Sequence, residues 1–297
     1  MLPICFGEAT KFSQHLLEAN KVYEVTAMLG VRTDTGDAEG RVIRSKNVNL
    51  GEGSIAFLGH PSRRGTPAPR NTIDPSLSTP RQDVVIEKEK LFEVLKKFTG
   101  EIQQVPPMHS ALKHKGRPLY EYARKGEIID RPARTVTIYN LELLKGQAQD
   151  LPLQTISLRV HCSKGTYIRS LIDDIGEKLG CGAHVIALRR TMVEPFQRQP
   201  MMTLEALEAA IDRDDYLLPV DAALTEWPQC VLSDHEAKRL LQGLPLHLLN
   251  HSSGFVRFYD VAKNFLGVGT IVADGEVTHK RLMSFRQMPL VEELKSR

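Results

Sequence analysis

Two stretches of the sequence combine residue types and spacings that suit chemistry. The first is HCSKGTYIRSLIDDIGEKLGCGAHVIALRR, His161–Arg190. Its alternation up to Cys162 reads as a strand, and Ser163, Lys164 and Gly165 turn the chain into a helix. Tyr167 and Arg169 then fall in the helix's first turn. A helix N-terminus exposes N–H groups and the positive end of its dipole, so it favours anions and disfavours a cation by about 0.3–1 kcal/mol. Arg169 therefore calls for an anionic partner, a carboxylate of this chain or a phosphate; the alternative is a guanidinium turned into solvent. The second stretch is PPMHSALKHKGRPLYEYARKG, Pro106–Gly126. Lys113, Lys115, Arg117, Arg124 and Lys125 suit phosphates, and His109, Tyr120 and Tyr122 suit stacking on bases. Read blandly, the same stretch is a solvated helix face over core tyrosines.

These residues need elements to hold them. KVYEVTAML, Lys21–Leu29, alternates Tyr23, Val25, Ala27 and Leu29 on one face and predicts a half-buried strand. The turn-rich RTDTGDAEG follows, and capping and turn roles are expected for Asp34 and Asp37. Leu91, Leu95 and Phe98 mark a helix that Gly100 ends. Ile156, Leu158, Val160 and Cys162 share a strand face. Ile168, Leu171, Ile172, Ile175 and Leu179 form one helical stripe with Gly180 just past its end. Ala9, Phe12, Leu16 and Leu17 place a helix near the start of the chain, and Met201–Ala210 reads as another. Past Pro228 the pattern is short strands, and Asp274-Gly275 between Phe265–Ala273 and the run after it is a hairpin signal. Residues 46–82, rich in Gly, Pro, Ser and Arg, read as an irregular insertion.

Composition narrows the classes. The chain has 297 residues, 41% hydrophobic and 25% charged, as in globular proteins. No apolar run approaches the roughly 20 residues of a membrane span, and no secretory signal pattern opens the chain. Cys5, Cys162, Cys181 and Cys230 form no metal-ligand spacing, so metal binding is not expected and reduced cytosolic thiols are. His161 and His184 read as structural. Residues 1–200 carry 29 Lys/Arg and 22 Asp/Glu, whereas residues 201–297 carry 10 and 14. The basic N-terminal part suits a polyanionic partner.

Four segments in order, MLPICFGEATKF, the Tyr23 strand with LGVRTDTGDAEG, QQVPPMHSALKHKGRPLYEYARKG and KGTYIRSLIDDIGEKLGCGAHVIALRR, resemble the TruB-type tRNA pseudouridine synthases. The likeness covers about residues 1–45 and 84–196, and FLGVGTIVADGEVTHKRLM resembles the family's PUA-like RNA-binding tail. It implies an α+β pseudouridine-synthase fold, a mixed and largely antiparallel sheet with flanking helices, and a small β-rich domain. The implied domains are a catalytic part at 1–200, a connecting helix region at 201–227 and a PUA-like part at 228–291. The implied activity is isomerisation of the T-loop uridine, position 55, of tRNA, without metal or organic cofactor and without an obligate protein partner. The implied location is cytoplasmic. Tyr23, Tyr167, Arg169 and Leu188 match positions of the uridine pocket, with Tyr23 packing against the flipped base. Lys113, Lys115, Arg117, Tyr120 and Arg124 match an insert, 106–126, that grips the tRNA arm.

In the family the catalytic residue is an aspartate in a GHTGALDPLATG-type motif directly before the segment matching MLPI, and the Arg169-type arginine pairs with it. The expectation is thus a chain lacking that motif and an earlier strand of the sheet, with its catalytic residue unassigned. The alternative is a T-arm binder or folding chaperone without catalysis. Asp74-Pro75 resembles the motif's Asp-Pro only faintly, since its spacing and flanks differ.

Overall fold

The computed structural model describes residues 1–50, 83–144, 154–197, 199, 201–249 and 251–284. The chain begins with a 3-10 turn, Gly7–Phe12, and a short helix α1, Ser13–Glu18. Strands β1, Lys21–Leu29, β2, Val31–Thr33, β3, Val42–Ser45, β4, Asn47–Leu50, and β5, Asp83–Ile86, follow. Next come α2, Lys88–Lys97, β6, Gly100–Gln104, β7, Lys113–His114, β8, Arg117–Pro118, and α3, Leu119–Arg124. Then run β9, Arg134–Leu143, β10, Thr155–Cys162, α4, Ile168–Leu179, and β11, Ala183–Val193. The remainder holds α5, Leu204–Glu208, β12, Gln229–Val231, α6, Asp234–Leu241, β13, Gly254–Tyr259, β14, Phe265–Ile271, and β15, Val277–Leu282.

The chain divides into two units, one of Met1 with Asn20–Met192 and one of Leu2–Ala19 with Val193–Arg297. The first is built on a five-stranded sheet in the order β11-β1-β10-β9-β6. β10 runs antiparallel to both β1 and β9, and β9 antiparallel to β6. On β1, Val25, Ala27 and Leu29 are buried as the alternation requires, opposite Leu158 and Ile156 of β10. The α4 stripe Ile168, Leu171, Ile172, Ile175 and Leu179 joins Leu91, Val94 and Leu95 of α2 in the same core. Gly180 closes α4 at φ 85°, a left-handed conformation that costs glycine nothing. Residues 47–50 of the stretch expected to be irregular instead form β4, which pairs in parallel with β5 and buries Val48 and Ile86. Residues 51–82 of that stretch, with Asp74, lie outside the described residues.

The second unit is a four-stranded sheet, β12-β13-β14-β15, with β12 parallel to β13 and the other pairs antiparallel. The Asp274-Gly275 hairpin joins β14 to β15, with Gly275 at φ 85°. α6 begins with a capping box in which Ser233 and Glu236 satisfy each other's backbone N–H groups. Leu2–Ala19 packs with this unit. The reason is long-range packing: Phe12 is buried with Leu224 and Val268 and meets Phe265 edge-on at 5.5 Å. The helix expected across Met201–Ala210 shrinks to α5, which buries none of its residues.

Candidate active site

The candidate pocket residues all lie in the first unit, Tyr23 on β1, Tyr167 and Arg169 at the start of α4, and Leu188 on β11. β1 begins opposite the end of β10, with Lys21 across from Cys162, and the chain turns through Ser163–Tyr167 into α4. Tyr23, on β1, faces Val160 and is half-buried. Burial raises its phenol above the usual value and the neighbouring Cys162 adds to the rise, while the Arg190 charge opposes it. The phenol is therefore neutral over the physiological range. Burial also pushes the Cys162 thiol up to about 11, which leaves it without thiolate character.

Arg169, in the first turn of α4, does have the anionic partner its position calls for, and that partner is a carboxylate of this chain. Its Nη1 donates to Asp37 Oδ2 at 2.8 Å and to the Thr35 carbonyl at 3.3 Å; its Nη2 donates to the His109 carbonyl at 2.7 Å. The guanidinium thus ties the TDTGD loop and the PPMHS segment to the start of α4. Gly36 turns that loop at φ 73°, a left-handed conformation that favours glycine, and a Cβ there would make only ordinary contact with the Arg169 Cβ at 3.5 Å. Asp34 keeps the expected turn role, accepting from the Arg41 N–H at 2.8 Å. Asp37 does more than expected: Oδ1 accepts from Thr35 Oγ1 at 2.6 Å and from the Glu39 N–H, while Oδ2 takes Arg169. Nothing in the local pattern separates Asp37 from Asp34, since the discriminating partner lies 132 residues away.

Tyr167 is the N-cap residue of α4 and has no side-chain cap of its own. The Gln104 side chain, only 2% exposed, serves it instead, accepting from the Tyr167 N–H at 2.8 Å and donating to the Tyr167 carbonyl at 3.1 Å. Sequence reasoning passed over Gln104, whose inward face on β6 shows only in the structure. Leu188 lies on β11, the strand beside β1, and is 46% exposed. His184 is buried and hydrogen-bonds the Val31 carbonyl at 2.8 Å, in keeping with a structural role.

The 106–126 insert is a two-residue hairpin, β7–β8, running into α3. Lys115 at φ 48° and Gly116 at φ 82° form its turn, the geometry that matches strand twist. Lys113, Lys115, Arg117 and Arg124 are exposed, and buried Leu119 anchors the base. Arg124 stacks over the Tyr120 ring at 5.2 Å. Tyr122 is held within the insert, donating to the His114 carbonyl at 3.2 Å and meeting the His114 ring edge-on, so it is not a free stacking surface. Among the described residues no group of His, Cys, Asp and Glu is arranged to hold a metal, and no helix is long and apolar enough to cross a membrane.

Such an α+β architecture, a largely antiparallel sheet with flanking helices and a small β-rich domain after it, is that of a pseudouridine synthase. Comparisons with known proteins agree. The chain has the fold of a solved Cbf5-Nop10-Gar1 complex, at TM-score 0.59 and 22% identity over 95% of this chain and 72% of that one. An H/ACA RNP bound to a substrate RNA containing 2'-deoxyuridine matches at TM-score 0.59 and 20% identity, with the same coverage. Residues 1–56 and 70–168 match the TruB family pseudouridylate synthase N-terminal domain. Residues 169–225 match the tRNA pseudouridylate synthase B C-terminal domain, and 228–283 the C-terminal domain of pseudouridine synthase II TruB. The chain belongs to the TruB family of pseudouridylate synthases. The tRNA pseudouridine synthase B of Tolumonas auensis is 45% identical over 309 residues, covering 99% of this chain and 82% of that one. Its namesake from Yersinia pestis (strain Pestoides F) is 42% identical over 297 residues, covering 95% and 79%. The family match leaves only 57–69 unmatched within the stretch read as an insertion at 46–82.

Proposed function

We propose that this chain works on tRNA as a pseudouridine synthase, gripping the T-arm with the 106–126 insert and receiving uridine 55 of the T-loop in the pocket at the start of α4. One observation carries the reading. Arg169 and Gln104 fasten the pocket's first turn to the root of the insert, so the grip and the pocket form one hydrogen-bonded unit. The relatives named tRNA pseudouridine synthase B support it. In this reading the uridine leaves its stack at a cost of a few kcal/mol, and stacking on Tyr23, typically worth about 1–3 kcal/mol, offsets much of that. Tyr167 and Leu188 would complete the apolar walls. Isomerisation breaks the bond from ribose C1′ to N1, turns the base, and joins C1′ to C5; C5 loses a proton and N1 gains one, so no other reactant is consumed. Lys113, Lys115, Arg117 and Arg124 would neutralise backbone phosphates, with Tyr120 beside them.

A second reading, a T-arm binder or RNA-folding chaperone without turnover, is favoured by one observation. The Asp37 carboxylate, next to Arg169 at the start of α4, is engaged by that guanidinium at 2.8 Å. One experiment separates the two. Unmodified tRNA is incubated with the 297-residue chain, binding is measured by filter retention, and pseudouridine is mapped by carbodiimide-dependent primer extension. Pseudouridine at position 55 establishes the synthase; saturable binding without product establishes the binder; absence of both sinks the T-arm assignment.

A further inference from the structure

Gln104 is an anomaly for its strand. In β6, residues 101 and 103 face solvent while 102 and 104 face inward, so an amide sits where an apolar residue would pack. Burying a primary amide is unfavourable unless its groups are hydrogen-bonded. Here the donor and the acceptor go to a single residue, the N–H and C=O of Tyr167, at 2.8 and 3.1 Å. Tyr167 in turn is a poor choice for an N-cap. Its φ of −98° and ψ of 106° are those of a cap, but its side chain makes no cap bond. Ser, Thr, Asp or Asn would close the helix locally. A tyrosine at this position forgoes that local solution, and an amide 63 residues away in sequence supplies the missing polar contact. This division of labour is useful only if the tyrosine ring itself is needed at the start of α4.

Gln104 also stands at the root of the insert. The residues after it, Val105-Pro106-Pro107, are stiff, because each proline fixes its own φ and restricts the residue before it. Five residues on, the His109 carbonyl is held by Arg169. The 104–109 strap is therefore pinned at both ends to one helical turn, by Gln104 to Tyr167 and by His109 to Arg169.

We propose that Gln104 is a positioning residue for the uridine pocket: its amide clamps the Tyr167 backbone and so holds Tyr167 and Arg169 in register with the RNA-gripping insert. The inference rests on the pocket reading above. It makes a chemical prediction that loss of packing alone does not. A protonated glutamic acid offers one donor and one acceptor in the geometry of glutamine, whereas a glutamate offers acceptors only and opposes the Tyr167 carbonyl. Buried at this position, a glutamate would titrate above its ordinary value of about 4.3. Gln104→Glu should therefore be impaired at pH 8 and recover towards pH 5, while Gln104→Met, which can form neither bond, should be impaired at both.

The test measures affinity for a T-arm stem-loop RNA by fluorescence anisotropy at pH 5 and pH 8. Wild type, Gln104→Glu and Gln104→Met are compared, with circular dichroism confirming that each is folded. Amide exchange at Tyr167, corrected for intrinsic pH dependence, is followed in the same samples. The expected result is a loss of roughly tenfold or more for Gln104→Glu at pH 8, as for a buried hydrogen-bond partner left unsatisfied, with most of the loss and the slow Tyr167 exchange restored at pH 5. Gln104→Glu binding like wild type at both pH values overturns the inference, as does pH-dependent exchange at Tyr167 with unchanged RNA affinity, which leaves a structural clamp only. Impairment of Gln104→Glu that is equal at both pH values overturns it too. Failure of the wild-type chain to bind the RNA is a separate result and overturns the pocket reading itself.

Discussion

Gly176, inside α4, offers a sharp test of how the site's two main elements are held. Glycine in a helix interior costs about 1 kcal/mol relative to alanine, so Gly176→Ala would stabilise an isolated helix. In the folded chain the opposite is expected. A Cβ on Gly176 would lie 2.6 Å from the Ala183 Cβ and closer still to the Ala183 nitrogen and the Gly182 carbonyl carbon. These are mostly backbone atoms at the start of β11, which no rotamer change can move. Restoring ordinary contact would require α4 and β11 to separate by about 1 Å, since real Cβ contacts begin near 3.4 Å. That movement would strain the bonds from the Cys181 and Gly182 N–H groups to the Gly176 carbonyl, at 3.1 and 2.9 Å. Overpacking of this kind costs about 1–3 kcal/mol, and rigid backbone puts it at the upper end. After the propensity gain the net loss is about 1–2 kcal/mol. Urea denaturation followed by circular dichroism measures it, with exposed Lys178→Ala on the same helix as a near-neutral control. A Gly176→Ala variant as stable as wild type, or more stable, would refute the argument that close approach, not turn formation, requires this glycine.

The other predictions concern charge. Burial, with Asp173 and Glu177 beside it and Arg32 opposing, raises the Asp174 carboxyl to about 6. A raised carboxyl means that the folded chain holds more protons than the unfolded one between about pH 4 and 6, so stability falls as pH rises through that window. Asp174→Asn should remove a penalty of about 1–2 kcal/mol at pH 8, after discounting the shift for partial exposure, and distinctly less at pH 4.5. Urea melts at the two pH values check this, and an equal effect at both would contradict it. Arg169→Lys keeps the charge but cannot reach Asp37 and the His109 carbonyl together, so T-arm affinity should drop by roughly tenfold with helicity intact; undiminished affinity would mean that charge alone suffices. Replacing Lys113, Lys115 and Arg117 together with alanine should flatten the slope of log affinity against log salt by about 0.7–0.9 for each phosphate no longer neutralised. A titration from low to high salt that shows an unchanged slope would place the phosphate-binding cations elsewhere.

Local pattern was enough for much of the frame. The inward stripe of α4, the glycine that ends it, the alternation of β1 and the Asp274-Gly275 hairpin are each written within a dozen residues, and each stands where the pattern puts it. What escaped is what depends on distant partners. Phe12 looks like any helical apolar residue until Phe265 is known to cover it. β4 has too short a run to announce a strand, and its partner β5 comes more than thirty residues later in the sequence. In the site, Arg169's need for an anion was legible from the helix dipole, but the choice of Asp37 over Asp34 was not, because the two sit in one turn with the same chemistry. Gln104 was passed over because no strand was expected over Gly100–Gln104, so nothing marked its side chain as facing inward.

The arrangement around α4 also bears on how a recognition insert informs a pocket. A flipped base is worth capturing only if the walls stand within a fraction of an ångström of where the grip delivers it. An insert hinged freely on its root would lose that registration. Here the root leaves the sheet at Gln104, passes through two prolines, and is tied down again at His109. Arg131 braces the same strap, donating to the Pro106 carbonyl at 3.1 Å. The hairpin tip at Lys115-Gly116 is exposed while its base is fixed by buried Leu119. Long basic side chains at the tip can adapt to a phosphate backbone, whereas the stiff strap carries no such slack. Arg169 is at the centre of this: a cation set, against the local helix dipole, where three acceptors from two other segments converge on it. Its unfavourable position at the helix start, a few tenths of a kcal/mol, is small beside charge-assisted bonds typically worth about 1.5–3 kcal/mol each when buried. Even discounted for partial exposure, those bonds make the first turn of α4 the common anchor of the Thr35–Asp37 loop and the 104–109 strap.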